Sequence, residues 1–364
     1  MNNEYYICLK GSNKPIYVDL YKDLSELEQK INDNSYSIYT FFYFLKVFES
    51  IEKISFIKDF TFYLTYVNLD HLPSYGQNVV AIVLGDEWCR TPKYSHLVRA
   101  VFKCYGRSLT LGCNPLLDPS YLNITTLFNF IRVWTLGLPY QLNYMFLKLK
   151  NKHSDEANVP SIYDIPLGYF NQLDLPVKAI EDRLYDVSFA GSIEQRVNSV
   201  WSWRYWLKLP KTIAREKMML AIERIKQKNS HINFELTINS HFGASRAADA
   251  RSYSEKLMDT KICLAPRGTS LETYRFFEAI RSGCIVVTEA LPSRWFYDES
   301  PAIQITDWSE LVEVLDRLVD DQDLMKKKHQ ESLNWWKTKC SETAVAYYIA
   351  RKLNYPDQVV SENL

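Results

Sequence analysis

Apolar residues fall into short continuous runs separated by longer stretches with helical spacing, most regularly in the second half of the chain. Tyr185 to Ala190, Ile232 to Ile238, Lys261 to Ala265, Cys284 to Thr288 and Ala302 to Ile305 read as buried strands of the kind covered on both faces of a parallel sheet. Ile213 to Gln227, Arg246 to Met258 and a segment opening near Thr269 alternate with them as helices. Thr269 with Glu272, and Asp307 with Glu310, have the capping-box spacing, and Gly283 stands where a helix C-terminus needs positive φ. The alternation predicts an α/β, doubly wound domain with right-handed crossovers.

The first half is less regular. Tyr5 to Leu9, Ile16 to Leu20, Phe60 to Val67 and Asn78 to Leu84 read as strands, and Arg107 to Leu111 as a weaker one. Leu24 to Ile31 and Tyr94 to Phe102 carry helical spacing, and Thr125 to Lys150 suits a helical pair broken near Gly137-Leu138-Pro139. Residues 151–180 hold three prolines and no sustained period, so they mark a connection and place a domain boundary near Asn171. Leu324 to Leu353 reads as a helical tail.

Composition narrows the classes. The 364 residues are 47% hydrophobic, and 43 basic residues balance 43 acidic ones, so neither disorder nor a nucleic-acid partner is expected. The seven cysteines include no Cys-x-x-Cys pair, which fits reduced thiols in the cytoplasm. Cys263 and Cys284, inside predicted strands, read as small hydrophobes. The opening MNNEYYICLKGSNK has no basic segment followed by an apolar one, so no secretory signal is expected, and no apolar run reaches the ~20 residues that span a bilayer.

In an open parallel sheet, ligands bind beyond the carboxyl ends of the strands. Three such loops carry small or charged residues: Gly191-Ser192, with Arg196 and Arg204 following; His241-Phe242-Gly243; and Pro266-Arg267-Gly268-Thr269. Together they describe a nucleotide or phosphate site. On the helix after Thr269, Phe276, Phe277 and Ile280 share the arc expected to pack on the sheet, leaving Arg275, Glu278 and Ser282 on the other side. That side is either a solvated face with a weak i, i+3 ion pair, or a place where Glu278 accepts from ribose hydroxyls and Arg275 neutralises phosphate. Asp86 and Glu87, at the end of the strongest N-terminal strand, are the candidate general base; extended neighbours point apart, so one of the two is structural. His241 is a further candidate. Asp321-Gln322-Asp323 formally matches an Asp-x-Asp metal motif but lies between two helices, and the histidines and cysteines show no ligand spacing, so no metal is expected. Trp201-Ser202-Trp203-Arg204-Tyr205-Trp206 is open to packing, sugar stacking or peripheral membrane contact.

The run KICLAPRG from Lys261, then RFFEAIRSGCIVV from Arg275 to Val287, led by Tyr253-Ser254-Glu255-Lys256-Leu257, resembles the nucleotide-sugar-binding signature of exostosin-type glycosyltransferases. The resemblance implies the GT-B architecture, two Rossmann-like domains facing across a cleft: residues 1–170 on the acceptor side, with 341–364 crossing back, and residues 171–340 holding the donor. It implies that Glu278 binds the ribose and that Arg267 and Arg275 face the diphosphate. The expected activity is a metal-independent hexosyl or pentosyl transfer from a nucleoside-diphosphate sugar to a carbohydrate acceptor, with inversion and with no cofactor beyond the donor. The alternative is a non-catalytic nucleotide-sugar or glycan-binding protein on the same fold.

Overall fold

A computed structural model describes residues 3–9, 16–19, 41–151, 161–170, 173–193, 209–229, 231–238 and 247–354. The chain divides into two compact units. The first comprises Met1–Leu109, Trp134–Phe170 and Lys339–Leu364, and the second Thr110–Val133 and Asn171–Thr338. Residues 110–133, which the sequence reading kept with the first domain, therefore cluster with the second.

The first unit is built on a six-stranded sheet. Its strands are β1 (Glu4–Leu9), β2 (Ile16–Asp19), β3 (Thr61–Thr65), β4 (Gly76–Val83), β5 (Val98–Lys103) and β6 (Ile162–Asp164), in the order β2-β1-β3-β4-β5-β6. Only β1 and β2 pair antiparallel. Val79 to Val83 are all buried, as their unbroken apolar and mostly β-branched character requires of a central strand. Helix α1 (Phe42–Glu52) packs on the sheet through Phe48, whose ring lies 4.5 Å from Tyr5 and 5.7 Å from Phe62.

Three expectations for this half are corrected. Tyr94 to Phe102 is not a helix: a single turn at Ser95–Leu97 leads into β5, which is covered on both faces, so its apolar positions lose the alternation that would have marked a strand. Arg107 to Leu111 forms no strand; Arg107 instead stacks 5.1 Å over the ring of Tyr144. The broken helical pair is one helix, α2 (Tyr121–Asn151), with Pro139 inside it. A helical proline costs about 3 kcal/mol, and burial of Val133, Gly137 and Tyr144 along one side holds the helix through it. The connection at 151–180 contains β6, a three-residue strand too short to show a period.

The second unit is a five-stranded, wholly parallel sheet. Its strands are β7 (Tyr185–Gly191), β8 (Phe234–Ile238), β9 (Thr260–Ala265), β10 (Ile285–Thr288) and β11 (Ile303–Gln304), in the order β11-β10-β9-β7-β8. Its helices are α3 (Pro210–Lys228), α4 (Ala247–Met258), α5 (Tyr274–Arg281), α6 (Leu311–Val319) and α7 (Gln322–Trp335). Ile262, Leu264, Ile285 and Val287 share a core with Ile213, Met218 and Ile222 of α3 and Leu311, Leu315 and Leu318 of α6. Alternate strand residues such as Cys263 and Val286 are buried on the opposite face. Phe276 of α5 lies 5.4 Å from Tyr297 and 6.0 Å from Trp335, so aromatic packing joins α5 to α7. A π-helical turn (Trp336–Cys340) and α8 (Glu342–Asn354) complete the described chain; α8 packs on α1, and the Tyr43 hydroxyl donates to the Cys340 carbonyl at 2.6 Å.

Both helix termini read from sequence around α6 are present. Asp307 accepts from the Ser309 amide at 2.9 Å and Glu310 accepts from the Asp307 amide at 2.9 Å, closing a capping box. Asp321 accepts from the Leu324 amide at 2.8 Å, so Asp321-Gln322-Asp323 is a helix start. The capping box expected at Thr269 and Glu272 does not form. Glu272 is buried and committed to Arg294, whose Nη2 and Nε approach its carboxylate at 2.8 and 3.1 Å, and α5 starts five residues after Thr269.

At the other end of α5, Gly283 (φ 73°) donates to Ile280 and Cys284 donates to Ala279, each at 2.9 Å, which is a Schellman closure. A Cβ on Gly283 would lie 2.6 Å from the His329 ring, whose Nδ1 is hydrogen-bonded to the Gly283 carbonyl. Gly283→Ala is therefore expected to lose about 1–2 kcal/mol from the left-handed backbone alone and more from the contact with His329. Urea unfolding measures it, and an unchanged midpoint contradicts the assignment.

Candidate functional site

Strand order makes the second sheet asymmetric. The chain leaves β7 for β8 on one side and then crosses to β9 on the other, so β7 and β9 are the pair at which the winding reverses. Loops from such a pair diverge and open a crevice beyond the carboxyl ends. Gly191 ends β7, Pro266 follows β9, and between these loops lie two guanidinium groups.

Arg275, second residue of α5, stacks 4.8 Å over the ring of Phe189 and lies on Gly191, where a Cβ would come within 2.5 Å of its Nη2. Gly191 is thus needed for the arginine as much as for any ligand. Arg215, from the second turn of α3, reaches across both loops: Nη1 donates to the Ser192 carbonyl, and Nη2 to the Arg267 carbonyl at 3.5 Å. Burial, and then the positive charge of Arg275, push Arg215 down to about 10, against a smaller pull from Glu289. It remains cationic at neutral pH. Among the described residues, the Nε atoms of both arginines are buried and without a hydrogen-bond partner. Beside them Thr273 holds the N-cap position of α5 in an extended conformation, but its hydroxyl makes no cap bond, and Oγ1 is also buried without a partner among those residues. Buried polar atoms of native proteins are paired, and two half-buried like charges side by side are unfavourable until an anion joins them.

Arg267, expected to face a diphosphate, is placed otherwise. It is buried; its backbone amide and Nε both donate to Glu289 Oε2 at 2.9 Å, and Nη1 donates to Thr126 at 2.9 Å. It ties the loops after β9 and β10 together. Gly268 is half-buried, its amide donating to the Ser270 carbonyl at 2.9 Å, and Thr269 is exposed. Glu278, for which spacing leaves a solvated face and a ligand-binding one open, is 8% exposed, and Ser282 is buried with it. Tyr253 of α4 donates to Glu278 Oε2 at 3.0 Å, and burial together with that carboxylate raises the Tyr253 phenol well above its usual range. The surface-face reading of α5 is thereby overturned: Arg275 and Glu278 lie inside the sheet-end cluster. Arg196, Arg204, His241 and the tryptophan-rich run at 201–206 lie outside the described residues.

In the first unit the two candidate acids separate. Asp86 is buried and saturated: Oδ2 accepts from Lys103 Nζ at 2.8 Å and from the Arg90 amide at 2.7 Å, and Oδ1 from Arg90 Nε at 2.9 Å. Lys103 is itself fully buried and also donates to the Arg90 carbonyl. Asp86 is the loop acid that the pair allowed for, fixing the turn after β4. Glu87 is half-buried, with the Tyr105 hydroxyl 3.5 Å from Oε1. Cys89 (φ 53°) and Tyr105 (φ 61°), in the loops after β4 and β5, both adopt left-handed backbone, and Cys89 Sγ donates to the Tyr105 carbonyl at 3.1 Å. Such strain is held only where surroundings enforce it.

Residues 210–347 match the family model of the RXYLT1 C-terminal domain, and over that stretch the chain is exostosin-like, of the glycosyltransferase kind. The match includes α3 to α7, and so Arg215, Arg267, Arg275 and Glu278. Several solved structures are similar at low levels. The GtfA/B complex is 12% identical with a TM-score of 0.39, over 77% of this chain and 57% of that one. TarM is 13% identical at 0.39, over 84% and 57%. A DNA-modifying β-glucosyltransferase is 11% identical at 0.38, over 97% and 99%. The chain thus spans little more than half the length of two of these three. No curated protein sequence matches it.

Removing Asp86 strands Lys103 in the core. Asp86→Ala is expected to cost about 3–5 kcal/mol, read by urea unfolding, and adding Lys103→Met is expected to restore most of it. A stable Asp86→Ala protein would return Asp86 to the candidate bases.

Proposed function

We propose that the protein transfers a sugar, hexose or pentose, from a nucleoside-diphosphate donor to a carbohydrate acceptor. The observation that carries the reading is the pair of half-buried arginines at the β7 and β9 ends, with the buried Nε of Arg215 and of Arg275 unsatisfied among the described residues. Two cations fixed in advance at one point suit a diphosphate, and they suit it more as it departs with an extra negative charge, which is how such a site accelerates transfer. Gly191 and Ser192 supply the close backbone approach, Gly268 and Thr269 line the facing loop, and Arg267 holds that loop through Glu289. Glu278, kept in place by Tyr253, accepts from the ribose.

Glu87 is the group assigned to take the acceptor's proton, and direct displacement with inversion then follows. The guanidiniums neutralise the leaving group, so the proposed chemistry routes no step through a metal. All seven cysteines are free thiols, six of them buried, which supports a reducing, cytoplasmic setting.

The donor site and the base are tested separately. Arg215→Gln and Arg275→Gln are each expected to weaken nucleoside-diphosphate binding at least tenfold by calorimetry. Glu87→Gln is expected to leave that affinity unchanged and lower turnover about 10²–10⁴-fold. Donor affinity indifferent to both arginines contradicts the site, and full turnover in Glu87→Gln contradicts the base.

A further inference from the structure

Helix α2 is hydrophobic where it meets water. Along its second half, from Trp134 onward, contacts within the first unit fix which side faces inward. Gly137 approaches the Trp88 carbonyl, the Arg90 guanidinium lies 5.9 Å over Tyr140, and Tyr144, buried, carries Arg107 over its ring. Leu142, Met145, Phe146 and Leu149 are 55 to 64% exposed, and Trp134 is 43% exposed. Steps of three and four residues put the four on one stripe of the helix. Isolated exposed hydrophobes are ordinary, but four on one stripe, with Trp134 extending the face to a stretch of about 24 Å, are not.

Charge selects the occupant. Between Tyr121 and Asn151 there is no aspartate or glutamate, while Arg132, Lys148 and Lys150 are present, in a chain whose formal charges sum to zero. An apolar face of Trp, Phe, Leu and Met on a helix with cations and no acids fits the interfacial region of an anionic bilayer, where side chains enter the acyl boundary and lysines reach headgroup phosphates. A second copy of the same helix would bring cations against cations. No described helix is long and apolar enough to cross a membrane, so the contact is one of lying on the surface.

We propose that the outer face of α2, from Trp134 to Leu149, docks the protein on an anionic lipid surface. This goes beyond the transfer reading and does not rest on it. The test is co-sedimentation of the full chain with vesicles of phosphatidylcholine alone and of phosphatidylcholine mixed with phosphatidylglycerol. Expected is binding to the mixed vesicles that weakens with salt and falls at least about tenfold in a Leu142→Glu, Phe146→Glu variant. Both positions are exposed, so the variant is expected to keep the wild-type melting temperature and nucleoside-diphosphate affinity, and loss of donor binding alone would leave this proposal untouched. Three results overturn it: no wild-type binding, equal binding by the variant, or a dimer in light scattering that the variant dissolves.

Discussion

Two like charges held side by side in the second unit are the constraint on which its architecture turns. Arg215 and Arg275 converge where β7 and β9 end, each half-buried and each leaving a buried Nε unsatisfied among the described residues, and the charge of Arg275 adds to burial in lowering Arg215. A fold does not keep such a pair for stability, since taking two like charges partly out of water costs free energy. The surrounding sequence is arranged to hold it. Gly191 has no Cβ because Arg275 occupies that space, Phe189 gives the guanidinium a ring to lie on, and the Ser192 carbonyl anchors Arg215. The Arg267–Glu289 pair and the Glu272–Arg294 pair neutralise themselves, which among the described residues sets them apart from Arg215 and Arg275.

The first unit uses charge differently. Lys103 sits at zero exposure on the last position of β5, and Asp86 compensates it while binding Arg90, so the loop after β4 is pinned from inside. Its neighbour Glu87 is thereby displayed from a rigid support, with Cys89 and Tyr105 in left-handed backbone beside it. An acid that must choose one proton is better served by a fixed loop than by a mobile one.

What could be read from sequence followed the strength of local signals. Buried parallel strands such as β4 and β10 announce themselves as unbroken apolar runs rich in β-branched residues, and the Asp307–Glu310 box and the Gly283 turn depend on near neighbours only. Tyr94 to Phe102 misled because a strand covered on both faces, with Lys103 neutralised by a partner 17 residues away, does not alternate. Thr269 and Glu272 misled because Arg294, 22 residues on, outbids the local cap. Arg275 and Glu278 were legible through their spacing around the strand-end loop, but which of two faces they took depended on Phe189 and Tyr253. Arg215 carried no signal at all: it lies within an ordinary amphipathic helix, and only the crossing from β7 to β9 brings it to Arg275.

The most direct measurement is a crystal structure with a nucleoside diphosphate bound. The account places phosphate oxygens within about 3.2 Å of Nε on both Arg215 and Arg275, the distance of a charge-assisted hydrogen bond, with the ribose at Glu278. A diphosphate seated elsewhere, with both Nε atoms still unpaired, would contradict it.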